Sequence, residues 1–332
     1  MKLILVHQVH QLNYFQQIKG LDKSEYDIKL SPSLEEDTSK YESVLCIVDS
    51  ISKDDYSLNS KFSYLFLDDE GEALNVTNQQ LLDFLNTSDK HYIISGRNFE
   101  IKHDRLHDDL VYLNLLYYYF GFIGVSSIGK LSYPINQPKP THKFISYLGK
   151  QYHPERKAFI EKLGLDLEKD YLKPKPFNFT YPKNEYSWTW EIVSYLNDFI
   201  HSLNAKFELL FESAGADFKS PATSYTSEKL LKYFWWPHPS IIVLPQFVID
   251  KFKKYGFKFP HNGYNISHFL KSDVSEIIID TDFCKHINDI IDDIDWWIKF
   301  NRNIWFENAE TLNKMINSED LEHIKLIRAI LK

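Results

Sequence analysis

The sequence predicts an α/β protein with two domains and a helical C-terminal tail. Three observations support this fold class. Short apolar runs alternate with helical patterns early in the chain, a proline-rich segment interrupts the alternation, and the alternation then restarts. With 332 residues, of which 43% are hydrophobic and 25% charged, the chain is long enough for two cores.

The first predicted domain covers residues 1–132. Its apolar runs have the continuous character of buried parallel strands, at Leu3–Val6, Val44–Val48, Tyr64–Leu67 and Tyr92–Ile94. Helical spacing follows over Thr77–Leu85 and Leu106–Tyr119. The second of these helices is rich in tyrosine, which favours a core or domain contact over a ligand site.

A stiff linker is predicted at residues 133–141, because Pro134, Pro138 and Pro140 exclude a helix interior or a central strand. The second predicted domain, residues 142–282, has strands at Lys143–Leu148, Phe207–Phe211 and Ile241–Leu244 and helices at Pro154–Leu163, Trp188–Leu203 and Ser227–Trp236. The tail, residues 283–332, has a helical pattern from Phe283 to Ile330 and could cross back to the first domain. Two such βα halves predict two Rossmann-like domains facing a cleft.

Composition excludes several classes of protein. A net charge of −8 argues against broad nonspecific binding of nucleic acid, although it leaves room for a local basic groove. Two cysteines form neither a disulfide scaffold nor a structural zinc site. The first apolar run reads as a strand rather than a signal peptide, and no apolar window approaches ~18 residues. We therefore expect a cytoplasmic protein without membrane insertion, and the lack of a Gly-x-Gly-x-x-Gly or Walker A motif disfavours dinucleotide and P-loop sites.

The most informative segment is Ser224–Phe257, which predicts a helix, a buried strand and a second helix. Thr226 or Ser227 is suited to the N-cap, which places Glu228 and Lys229 in the first turn. Lys229 opposes the helix dipole there, and a bound phosphate would relieve that conflict. The alternative is a surface lysine with no ligand.

A second segment has the same character. After the strand that starts at Lys143, Gly149 permits a tight turn, and Arg156 falls in the first turn of the next helix. Arg156 can bind a diphosphate in bidentate fashion while Lys229 acts as a point charge. The alternative for Arg156 is a solvated helix face. Glu212 directly follows a predicted strand, where ligands bind in open α/β sheets.

The stretch from Lys143 to Phe259 resembles the donor-binding region of α1,3-fucosyltransferase-type glycosyltransferases and of exostosin-like and phage-encoded relatives. The matching residues are Thr226-Ser227-Glu228-Lys229, Pro237–Pro239, Ser240–Leu244, Gly256-Phe257 and the His153-x-x-Arg156 spacing. Ser227 is an insertion relative to that pattern, and the small residues usual before the strand are replaced by Trp235-Trp236-Pro237-His238-Pro239. The resemblance implies the GT-B architecture, a nucleoside-diphosphate sugar as donor, and Glu212 as the acidic residue before the motif.

Sugar transfer from such a donor needs stabilisation of the leaving diphosphate. The chain has no Asp-x-Asp in a loop after a strand, and Asp68-Asp69 is the nearest approach to one. We therefore expect no divalent metal, with Arg156 and Lys229 supplying the positive charge. His103 and His107 have helical i,i+4 spacing, but two surface histidines without a third ligand are the simpler interpretation.

The acceptor hydroxyl needs a general base, which we expect from the first domain. Candidates at strand ends are His7, His10, Asp49, Asp68, Asp69 and Glu100, and Arg97 could bind acceptor or phosphate. The acceptor could be a glycan or a hydroxymethylated base of phage DNA, in which case the protein would work in the host cytoplasm. A competing hypothesis is a non-catalytic structural or assembly protein with a degenerate donor site, which the departures at Ser227 and Trp235-Trp236 motivate.

Overall fold

The computed structural model describes residues 1–7, 9–31, 37–48, 51, 61–68, 76–95, 102–107, 139–146, 160–172, 202–211, 233–234, 238–243, 246–260 and 281–332. The chain divides into two compact units. The first comprises Met1–Gly124, Ala222–Tyr225 and Asn313–Lys332, and the second comprises Val125–Pro221 and Thr226–Leu312. The protein is an α/β protein with parallel sheets, and each unit contains one of them. The boundaries expected from sequence remain a prediction.

The first unit is built on a six-stranded sheet in the order β2-β1-β3-β4-β5-β6, with every neighbouring pair parallel. The strands are β1 Lys2–Val6, β2 Tyr26–Leu30, β3 Val44–Val48, β4 Ser63–Asp68, β5 His91–Ser95 and β6 Leu106–His107. The four strands predicted from apolar runs, β1, β3, β4 and β5, are confirmed.

These central strands form because both of their faces are buried, which favours continuous apolar runs. All five residues of β3 are buried, and Leu3, Leu5, Cys46 and Phe66 belong to one core cluster. Burial raises the pKa of the Cys46 thiol to about 12, so this cysteine is an inert core residue rather than a nucleophile.

Three helices of the first unit are described, α1 Val9–Gln17, α2 Asn78–Thr87 and the C-terminal α6 Glu322–Ile330. The predicted helix at Thr77–Leu85 is confirmed as α2. Thr77 is its N-cap and forms a capping box with Gln80, which satisfies two backbone N–H groups at the helix start. Leu81, Phe84 and Leu85 then bury the apolar face of α2 against the sheet.

The prediction of a helix starting at Leu106 is wrong. Leu106–His107 is the edge strand β6, in parallel register with Ile93 and Ile94 of β5. The open edge of β5 offers main-chain partners, and this pairing prevails over the local helical pattern; residues 108–119 lie outside the described part of the chain. His103 and His107 therefore do not share a helix face, and His103 instead accepts a hydrogen bond from the Arg105 backbone at 3.2 Å.

The second unit contains a four-stranded parallel sheet in the order β10-β9-β7-β8. The strands are β7 His142–Ile145, β8 Tyr171–Leu172, β9 Ala205–Phe211 and β10 Ser240–Val243. The three strands predicted for this region are confirmed, with β7 ending at Ile145 rather than at Leu148; residues 147 and 148 are not among those described.

The described helices of the C-terminal part are α3 Gln246–Lys254, α4 Thr281–Asp292 and α5 Ile294–Ile316. The tail was expected to be helical from Phe283 to Ile330, whereas the structure divides it into α4, α5 and α6. The chain leaves helical geometry at Asp293 and between Asn317 and Leu321, where the last α5 carbonyls are satisfied by turn hydrogen bonds such as Ser318 N–H to the Met315 oxygen at 3.0 Å.

Glycine ends two helices of the second unit through the same motif. Gly164 has φ +65°, its N–H bonds the Glu161 oxygen, and the next N–H bonds the Ile160 oxygen. Gly256, with φ +89°, ends α3 in the same way. This pair of hydrogen bonds is the Schellman motif, which requires a left-handed residue and so favours glycine. The predicted helix end at Gly164 is confirmed.

No helix in the described ranges is long and apolar enough to cross a membrane.

Candidate functional site

The two sheets have a common topology that marks one candidate ligand position in each. In both, the second strand pairs with one side of the first strand, and the third and fourth strands continue on its other side. The connection from the first strand to the second therefore runs in one direction across the sheet, and the connection from the second strand to the third runs back past the first. The direction of the strand order thus changes between β1 and β3 and again between β7 and β9. Ligands of open parallel sheets bind beyond the carboxyl ends of the strands at such switch points.

His7 lies at the first switch point. It directly follows Val6, the last residue of β1, and precedes α1, which begins at Val9. The His7 backbone N–H donates to the Oε1 atom of buried Gln11 at 3.1 Å, which fixes the turn between strand and helix. The His7 side chain is half-buried. The sequence candidate closest to the first switch point therefore has a well-defined backbone position.

His10 and Asp68 have described backbone positions in the same unit. His10 is in the first turn of α1, and Asp68 is the last residue of β4, in register with Ser95 of β5. Val6 pairs with Ile47, and Ile47 pairs with Leu65, so Asp68 lies two residues further along than His7 and two strands away. Strand spacings of about 4.8 Å and rises of about 3.3 Å separate their backbones by about 12 Å. Their backbones are therefore not neighbours. Glu100, Asp49, Asp69 and Arg97 lie outside the described residues.

Ser146, which directly follows β7, links three neighbouring strands at the second switch point. Its buried hydroxyl donates to the Leu209 carbonyl of β9 at 2.7 Å, and its own carbonyl accepts from the Tyr171 hydroxyl at 3.0 Å. These bonds tie the end of β7 to both neighbouring strands. Ser146 is therefore a fixed point of the sheet, and Phe211, which ends β9 in register with Val243, is a second one.

The predicted donor residues belong to the segments that follow those fixed points in the sequence. Glu212 comes directly after Phe211, and Arg156 comes ten residues after Ser146. All six, Arg156, Glu212, Thr226, Ser227, Glu228 and Lys229, lie outside the described residues. The diphosphate site assigned to them remains a prediction.

Sequence reasoning missed one buried carboxylate near the second switch point. Glu208 in β9 is 2% exposed and is level with Ile145, where β7 ends, and with Ser240 of β10. A buried carboxylate is costly unless it is hydrogen-bonded or paired, so its presence in a central strand marks a constrained polar position. The signal in the sequence is a single acidic residue within the apolar run Phe207–Phe211, which was predicted as a strand without any role for Glu208.

Metal binding has no support in the described ranges, where no group of three His, Cys, Asp or Glu side chains could hold an ion. No family model, curated protein or solved structure matches the chain.

Proposed function

We propose that the chain is a GT-B-type glycosyltransferase that moves a sugar from a nucleoside-diphosphate sugar to an acceptor hydroxyl. The observation that carries the proposal is the repeated parallel topology, which gives each unit its own switch point. The donor would bind the second unit and the acceptor the first. The resemblance of Thr226–Lys229 to a donor motif adds the substrate class.

The leaving diphosphate would be stabilised by fixed positive charge. Arg156 would bind phosphate oxygens through two parallel N–H donors, and Lys229 would place a point charge on the remaining oxygens. Glu228 would accept hydrogen bonds from sugar or ribose hydroxyls, and Glu212 would do so at the neighbouring strand end. Charge that develops on the leaving group would then meet groups that are already in position.

His7 is our first choice of general base among the sequence candidates. It lies at the switch point of the first sheet, and its backbone N–H is held by the Gln11 side chain. Histidine can accept the hydroxyl proton during attack and release it afterwards. Asp68 is the second choice, since it ends β4 two strands away. The acceptor would be a glycan or a hydroxymethylated base of phage DNA.

The substitution Lys229→Ala tests the proposal directly. We expect binding or turnover of nucleotide sugar to fall at least about tenfold, or ~1.4 kcal/mol, with the unfolding midpoint unchanged. The matched control is Lys285→Ala, which removes an exposed lysine from α4 of the same unit. The assay is a panel of nucleotide sugars with hydrolysis, transfer and thermal stabilisation as readouts.

Turnover that is the same in the Lys229→Ala variant and the wild type would contradict the donor assignment. A wild-type chain that neither binds nor hydrolyses any nucleotide sugar would favour the non-catalytic alternative. Glu228→Gln adds a second criterion, because it replaces a hydrogen-bond acceptor by an amide that also donates. We expect it to impair turnover more than stability, and the reverse result would make Glu228 only a helix-end residue.

A further inference from the structure

A cavity of about 370 Å³ lies in the first unit beside the amino ends of β1 and β2, at the opposite end of these strands from the switch point. It is lined by Lys2, which begins β1, and by Tyr26, which begins β2. Arg328 from the C-terminal helix α6 lines it as well. Volumes of about 300–1,000 Å³ are typical of small-molecule sites. The cavity is at the amino ends of the strands and so is separate from the candidate acceptor site.

The Arg328 guanidinium is held in a defined orientation. Its Nε–H donates to the Gly20 carbonyl at 2.7 Å, and its Nη2 atom would lie 3.3 Å from a Cβ placed on Gly20. Glycine thus leaves room beside the guanidinium where any other side chain would intrude. The Nε bond uses one of five N–H donors, and the planar group can present two others to an oxyanion.

Lys2 provides a second cation. Its ammonium lies 5.6 Å from the centre of the Tyr26 ring. Within the described ranges, neither Lys2 nor Arg328 forms an ion pair, although the carboxylates of Asp22 and Glu25 line the same cavity. Lys332 lines the cavity as well, so three positive side chains share it without pairing to its own carboxylates. This arrangement favours a dianionic ligand group over an internal salt bridge.

The carboxylates of Asp22 and Glu25 form the other part of the lining, and the Asp22 carboxylate is held in place. The Asp22 Oδ1 atom accepts from the Ser24 N–H at 2.8 Å, and the Asp22 carbonyl accepts from the N–H groups of Glu25 and Tyr26. The Ser24 hydrogen bonds hold the pKa of Asp22 below its usual value, so the group stays an acceptor at neutral pH. A fixed carboxylate suits hydroxyl donors and disfavours a second anionic group.

We propose that this cavity binds a phosphorylated polyol, such as a sugar phosphate. Arg328 and Lys2 take the phosphate, and Asp22 and Glu25 accept hydrogen bonds from hydroxyls. The bound ligand joins β1 to α6 and so strengthens the attachment of the C-terminal helix to the first sheet. The proposal is independent of the glycosyltransferase assignment, because it uses none of the same residues.

The test is calorimetric titration of the full chain with glucose 6-phosphate, inorganic phosphate and glucose. We expect glucose 6-phosphate to bind more tightly than inorganic phosphate, and glucose not to bind. Lys2→Gln and Arg328→Lys should each weaken glucose 6-phosphate binding at least about fivefold, or ~1 kcal/mol. Asp22→Asn should reduce the preference for glucose 6-phosphate over inorganic phosphate.

Lys325→Gln is the matched control, since Lys325 is on the same helix, is paired with Glu322 and does not line the cavity. It should bind as the wild type does, and so should Lys229→Ala. Equal loss in Lys325→Gln and Lys2→Gln would overturn the proposal in favour of nonspecific charge. Equal affinity for phosphate and glucose 6-phosphate, or no binding of glucose 6-phosphate at about 10 mM, would overturn it too.

Discussion

Among the described glycines, Gly20 has the least room for a side chain. Its φ of +97° is a conformation that other residues adopt at a cost. A Cβ there would lie 2.8 Å from the Glu319 carbonyl oxygen and 3.2 Å from the Ile324 side chain. Both contacts belong to the segment around α6, and the Gly20 carbonyl also accepts from Arg328. This glycine is therefore needed for the C-terminal helix to approach the sheet.

We predict that Gly20→Ala destabilises the first unit by more than Gly164→Ala destabilises the second. Gly164 has φ +65° but nothing within 4 Å of its Cβ position, so alanine there incurs backbone strain alone, about 1 kcal/mol. Gly20→Ala adds a backbone clash, and we expect a total of about 2–4 kcal/mol. Urea unfolding of both variants measures the difference, and equal losses would show that α6 can shift at no cost.

At the scale of elements, α6 is attached to the first sheet through buried polar contacts as well as apolar ones. The Tyr14 hydroxyl of α1 forms a hydrogen bond with Nε2 of His323, and both side chains are almost fully buried. Ser43 donates to the Leu331 carbonyl at 3.1 Å. Burial lowers the pKa of His323 to about 3, because the protonated ring loses its hydration there.

The buried His323 makes stability depend on pH. An unfolded histidine takes up a proton below pH 6.5, while the folded one stays neutral down to about pH 3. Its contribution is thus complete above pH 6.5 and is lost as the pH falls, by up to about 1.4 kcal/mol per unit. We predict that the urea midpoint drops from pH 7 to pH 4.5, and that the double variant Tyr14→Phe with His323→Leu drops less steeply.

His103→Asn is the control for this profile, since an asparagine oxygen can still accept from the Arg105 N–H. Its midpoint should follow the wild-type pH dependence. Parallel profiles for the wild type and the double variant would mean that other groups, such as the buried His91, dominate the acid response. Burial lowers the pKa of His91 as well, so that histidine acts in the same direction.

Strands buried on both sides could be predicted from sequence, whereas three of the four described edge strands, β2, β6 and β8, could not. Val44–Val48 is apolar throughout because neighbours cover both of its faces. The edge strand Tyr26–Leu30 has Asp27 and Lys29 among its five residues, and the edge strands at Leu106 and Tyr171 have two residues each, which is too short for a periodic signal. Pairing with an open sheet edge creates such strands, and that is a tertiary effect.

The candidate sites divide in the same way. His7 and Asp68 were found because they follow recognisable apolar runs, and chain position alone predicts a strand end. The cavity between Lys2 and Arg328 could not have been found, because it brings together residues more than 300 positions apart. The sequence shows an acidic residue at position 208, but it does not show that Glu208 is buried, because the burial depends on strands β7 and β10 on either side.

At the scale of the whole molecule, the proposed chemistry predicts metal-independent transfer. Arg156 and Lys229 would supply about two positive charges, as one divalent ion does, at a site where water is partly excluded. Sugar transfer should persist in excess chelator, and added magnesium or manganese should change the rate only modestly. The measurement is turnover before and after chelation.

A strict requirement for a divalent ion, restored by manganese after chelation, would contradict this prediction. The first place to look would then be Asp68-Asp69, since Asp68 ends a central strand of the first sheet. Asp68→Asn would separate the two cases. It should abolish the manganese effect if this carboxylate is a ligand and leave it intact otherwise.

The contact between Tyr14 and His323 spans 309 positions of the sequence, and this has a consequence for biosynthesis. At about 5–20 residues per second, a ribosome needs roughly 15–60 s to make the intervening chain. The strands of the first sheet are complete once residue 107 has been made, but the surface that later receives α6 is then still uncovered. Tyr14 and the turn at Gly20 are therefore accessible to chaperones until α6 has left the exit tunnel and packs against the first unit.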